Sequence, residues 1–128
     1  MSGLPANALE SAKLARLALE NELYGSACSN AYFAMFNAAR MLLEELEGIE
    51  RKSIKRHATV LSRFSLCFVH TGRFDAEVAR ALGRGSQLRS VFDCDDIITE
   101  EIDPRSLVGD MEKFLVKAEQ LLEGRETK

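Results

Sequence analysis

The sequence predicts an all-α protein, an antiparallel up-and-down bundle of about five helices. Apolar residues recur at three- and four-residue spacing almost throughout, and the alternation typical of strands is nowhere sustained. Proline occurs only at Pro5 and Pro104, so long stretches carry no helix breaker. The 128 residues are 46% hydrophobic and 29% charged, which suits one folded domain over residues 1–128 rather than a disordered chain. The ends, about residues 1–6 and 124–128, are expected to fray.

The first helix is expected from about Asn7, a residue suited to N-capping, to Glu22, with Leu14, Leu17, Ala18 and Asn21 on one face. The second begins near Tyr24 or Gly25 and stops at Gly48, which favours a left-handed helix end. One side of it carries Tyr24, Cys28, Ala31, Met35, Ala38 and Leu42, the other Tyr32, Phe36, Ala39 and Leu43. A helix so apolar needs several neighbours, and a second subunit can be one of them.

A basic connection over 48–56 leads to a third helix, about Arg56 to Thr71. It points Val60, Leu61, Phe64, Cys67 and Phe68 inward. Asp75 can cap a fourth, on which Phe74, Val78, Leu82, Gly85, Leu88 and Phe92 fall at helical spacing. Gly83 and Gly85 inside it suggest that another helix comes close. Residues 93–103 read as an acidic loop. Asp103 and Pro104 then supply a cap and a first-position proline for the last helix, with Leu107, Met111, Phe114 or Leu115, Ala118 and Leu122 inward.

The net charge of −3 hides an asymmetry. Residues 51–90 hold nine basic groups, among them Arg56, Arg80, Arg84 and Arg89, against only Asp75 and Glu77. Such a segment either attracts a polyanion or faces acidic surface on its own fold or a partner. No leader or membrane span is visible, and Cys28, Cys67 and Cys94 cannot all pair. A cytoplasmic protein with reduced thiols and no cofactor follows.

Three segments in order resemble the HEPN family of small helical proteins. They are the run Ala31 to Arg40, in which Asn37 precedes the paired alanines; the stretch from His57 to Gly72; and Leu88-Arg89-Ser90-Val91-Phe92-Asp93-Cys94-Asp95. The third is similar to a branch in which arginine is followed four residues later by aspartate and then an aromatic; Cys94 stands at the aromatic position. The resemblance implies a two-fold homodimer and, as partner, a minimal nucleotidyltransferase in a toxin–antitoxin-like pair. It also implies a nucleotide or RNA in the dimer cleft, with Arg89 facing its symmetry mate. Several family members are metal-independent ribonucleases with a histidine downstream of that arginine. No histidine follows Arg89 here, since His57 and His70 both lie upstream.

Two readings stand at each candidate site. Arg89 binds phosphate, pairs with Asp93 one turn on, or does both. Asn30, Asn37, Arg40 and Glu44 form a polar stripe that either lines a cleft or simply meets water. His57 is a substitute base or an ordinary capping or surface group. Asp93, Asp95 and Asp96 read as a loop near a cap, not a metal site. The functions in play are a binding dimer without efficient catalysis, a ribonuclease using Arg89, and a ligand-free scaffold.

Overall fold

The expected helices form, with boundaries set by local chemistry. The computed structural model describes residues 4–50, 52, 57–89 and 103–126, except the side chains of His57 and residues 84–89 and 125–126. Among them are five α-helices and no strand: α1 (Ala6–Glu20), α2 (Tyr24–Glu47), α3 (His57–Phe64), α4 (Ala76–Arg89) and α5 (Pro104–Glu126). One π-helical turn, Ser65–Val69, prolongs α3.

The caps follow the sequence with one exception. Gly48 ends α2 at φ 65°, and its N–H returns to the Leu43 carbonyl. The Asp75 Oδ1 accepts the Glu77 N–H at 2.9 Å at the start of α4. Asp103 does the same for Arg105 at 3.0 Å, one residue before the buried Pro104. At α1 the expectation fails. Pro5, not Asn7, is the N-cap, no side chain caps the end, and the helix stops at Glu20. Pro5 wins because its fixed φ near −70° suits a helix entrance.

The inward face of α1 also departs from expectation. Ala8, Ala12, Ala15 and Ala18 are buried, whereas Leu9, Leu14 and Leu17 are each 44% exposed. The reason lies across the interface. Facing α2 carries its own buried alanines, at 27, 31, 34, 38 and 39, and α1 with α2 forms the most extensive helix pairing. Small side chains on both helices let the backbones come close, and leucines in that seam would hold them apart.

Helix α2 is the central element. Eleven of its residues are buried, including Tyr32, Met35, Leu42 and Leu43, all with 0% exposure. The several neighbours that so apolar a helix needs come from the same chain: α1, α3, α4 and α5 all pack on it. Below it, Phe64, Phe68, Phe74 and Phe114 interlock, with ring centroids 4.6–5.5 Å apart for the contacting pairs. These geometries combine large buried area with favourable ring orientation. In α5 both Phe114 and Leu115 are buried. Gly83 has open space where a Cβ would stand, so it mediates no close approach among the described residues. Residue 85 lies outside the described side chains.

The alanine seam generates a discriminating pair of variants. Ala15→Leu overpacks the α1–α2 contact and should cost about 1–3 kcal/mol. Leu14→Ala, on the outward face, should cost below about 1 kcal/mol. Urea denaturation of both variants checks the order.

Candidate functional site

Helix α2 keeps a narrow half-buried stripe between the described helices, and the candidate site lies along it. Asn30, Phe33, Asn37, Arg40, Met41 and Glu44 are half-buried, at the spacing of one helix face. Toward its C-terminal half this stripe meets the start of α1. Pro5, Ala6, Asn7, Asn37, Arg40, Met41 and Glu44 enclose an open groove of about 320 Å³.

The groove has the chemistry of an anion site. Arg40 makes no ion pair among the described residues; its guanidinium lies 5.9 Å from the centre of the Phe36 ring. That distance is at the outer limit of a cation–π contact, so the group retains its full donor capacity. Asn37 donates through Nδ2 to the Phe33 carbonyl at 2.9 Å, which fixes the side chain. Because α1 has no side-chain cap and no acidic residue in its first turn, the Ala6 and Asn7 N–H groups are intrahelical orphans. The positive end of the α1 dipole therefore faces the same space. Glu44, one turn beyond Arg40 on the same helix face, also lines the groove and adds a negative charge to it.

The other expected site residues are not gathered here. Asn30 shares the stripe but turns inward on itself, bonding the Ser26 carbonyl at 2.9 Å and the Ser26 hydroxyl at 3.2 Å. Arg80 is exposed at the rim of a separate groove, lined by Leu61, Ser65, Val69 and Gly83. The side chains of His57, Arg84 and Arg89, together with Arg56 and Asp93, lie outside the described residues, although α4 extends to Arg89. Among the described residues no three His, Cys, Asp or Glu side chains cluster to hold a metal ion. No helix there is long and apolar enough to cross a membrane.

The basic segment is partly consumed by the fold, one of the two alternatives that its charge left open. Arg73 pairs with Glu47 at the end of α2, donates to the Cys67 carbonyl at 2.9 Å, and lies 4.5 Å over the Phe68 ring. Lys52 sits 3.8 Å from Glu50. Arg63 and Arg80 remain exposed. Beside this knot, burial pushes the Cys67 thiol above its ordinary pKa, the Glu47 carboxylate pushes it further, and Arg63 and Arg73 pull the other way. Asn7 was also missed as a groove residue, because nothing local links it to positions thirty residues downstream.

An all-helical fold with a polar stripe and groove on its central helix is thus defined among the described residues. The HEPN domain family model matches residues 2–123, and the chain belongs to that family. It is 28% identical over 113 residues to a protein of Methanocaldococcus jannaschii named "Putative toxin", covering 88% of this chain and 81% of that one. It is 31% identical over 110 residues to a "UPF0332 protein" of Thermotoga maritima, covering 85% and 80% respectively.

The thiol provides a check on the Arg73 knot. Cys67 should alkylate more slowly than glutathione at pH 8, because a raised pKa lowers the thiolate fraction. Glu47→Gln removes the negative charge and leaves Arg73 unpaired, so both effects should accelerate the reaction. Iodoacetamide kinetics against pH, followed by peptide mass analysis, give the answer.

Proposed function

We propose that this protein is the helical, toxin-type member of a toxin–antitoxin-like pair. It acts as a homodimer that binds the phosphate of a nucleotide or RNA, without efficient catalysis. The observation that carries the reading is Arg40, a half-buried cation without an ion pair among the described residues, in a groove on the polar stripe of the central helix. Burying part of a charge is costly unless a counter-charge arrives, and phosphate supplies one with bidentate geometry. Membership of the HEPN family and the likeness to a protein named as a toxin support the pairing with a partner, a minimal nucleotidyltransferase.

The chemistry favours binding over cleavage. Arginine supplies charge and oriented donors but stays protonated, so neither Arg40 nor Arg89 can serve as the base that activates a 2′-hydroxyl. The sequence has two histidines. His70 is exposed just beyond the π turn and does not line the groove, and His57 opens α3. In this reading Arg89 is a further phosphate contact, as the family resemblance implies.

Light scattering at micromolar concentration should report a dimer. Binding of a short single-stranded RNA should weaken about tenfold or more in Arg40→Ala and in Arg89→Ala, as expected for a lost charge-assisted bond of about 1.5–3 kcal/mol. Both variants should remain dimeric. A monomer, or unchanged affinity in both variants, defeats the proposal. Metal-independent cleavage abolished by Arg89→Ala replaces it with the ribonuclease.

A further inference from the structure

A second groove is about twice the volume of the one beside Arg40. It runs between the Gly72–Val78 segment and the outward face of α5, and encloses about 660 Å³. Its lining includes both acidic and basic residues, but their charges are not equally available. Asp75 is committed to capping α4. Glu112 is held by Arg16, which donates to its two oxygens at 2.8 and 2.5 Å. Arg73 is answered by Glu47. Lys113 and Lys117, one turn apart on α5, are the charged lining groups left without an ion pair among the described residues.

Between these lysines the surface is apolar and unusually open. Val116 is 58% exposed, and Val78 lies half-buried across from it. Gly109, Lys113, Val116, Gln120 and Gly124 fall on one face of α5 at steps of four and three. The two glycines end that face with nothing within 4 Å of where a Cβ would stand. Each costs about 1 kcal/mol relative to alanine inside a helix. Nothing among the described residues occupies the space beside these two positions, so bulk is absent where a second backbone would approach.

We infer that this face of α5 is a docking surface for an acidic amphipathic helix of a partner protein. Apolar side chains of that helix seat on Val78 and Val116, and its carboxylates meet Lys113 and Lys117. Charge complementarity singles out this occupant. A nucleic acid fits poorly, because the groove offers no aromatic ring for a base to stack on. The inference is independent of the phosphate reading of the α2 stripe.

The test uses the full chain and a synthetic helical peptide with leucines at three- and four-residue spacing, edged by glutamates. A lysine-edged counterpart and a short single-stranded RNA serve as comparisons. Amide chemical shifts of Val78, Val116 and Gln120 should move with the acidic peptide, and its affinity should fall as salt rises. Lys113→Glu with Lys117→Glu should weaken that peptide at least tenfold and admit the lysine-edged one. Both lysines are at the surface, and unchanged melting of the variant separates lost docking from lost folding. No binding, equal binding of both peptides by the wild type, or movement of these amides by RNA in place of the acidic peptide overturns the inference.

Discussion

Close approach between α1 and α2 is the condition on which the rest of the molecule depends. Alanine on both sides of the seam brings the two backbones together, and the largest side chains are then free to point elsewhere. On α2 they point into the bundle, where Tyr32, Met35 and Leu42 meet the other helices. On α1 Leu9, Leu14 and Leu17 point outward, while Leu19 packs at the edge of the core. The seam trades buried area per residue for proximity, since an alanine methyl contributes far less transfer free energy than a leucine side chain. The deficit is met on the other side of α2, by four interlocked phenylalanines. Because α2 is engaged by every other helix, it fixes where the single polar stripe emerges.

That geometry separates the charges by role. Basic residues close to the chain's own carboxylates are absorbed as fasteners: Arg16 on Glu112, Arg73 on Glu47. Exposed pairs of this kind contribute little to stability, and their main effect is to fix position. The cations they leave over stand on surfaces with other chemistry around them. Arg40 lies beside a helix start and amide side chains, and Lys113 and Lys117 beside valines. Local surroundings, not the overall charge of −3, therefore decide which anions each surface can take.

Much of this was legible in the sequence because helices announce themselves by period and punctuation. Gly48, Asp75, Asp103 and Pro104 mark ends that the structure reproduces, and the family emerged from three short segments in order. The reading of α1 failed for a definable reason. Period alone shows which residues share a face but not which face is buried, and leucine is ordinarily the safer choice for the inside. Only the alanines of α2, in another element, reveal that the seam excludes large side chains. The groove at Asn37 and Arg40 was half legible: the stripe was visible, while Asn7 and the uncapped end of α1 reach it through the tertiary fold. Asn30 bonding to Ser26, and Arg73 spending its charge on Glu47, depend on rotamers and neighbours that no pattern encodes.

The π turn at Ser65–Val69 carries a consequence for how this chain can change in length. Its widened ladder, with the His70 N–H reaching back to the Ser65 carbonyl at 2.9 Å, accommodates one residue more than an α-helix of the same rise. Removing a residue there leaves a good helix, so nothing local resists the change. Everything downstream keeps its place, because the residue lost is the extra one that the wide turn absorbs. Arg73 then stays with Glu47, and Phe74 stays in the phenylalanine cluster. Deletion at exposed Leu66 is thus more tolerable than substitution of Phe68, which is fully buried in that cluster.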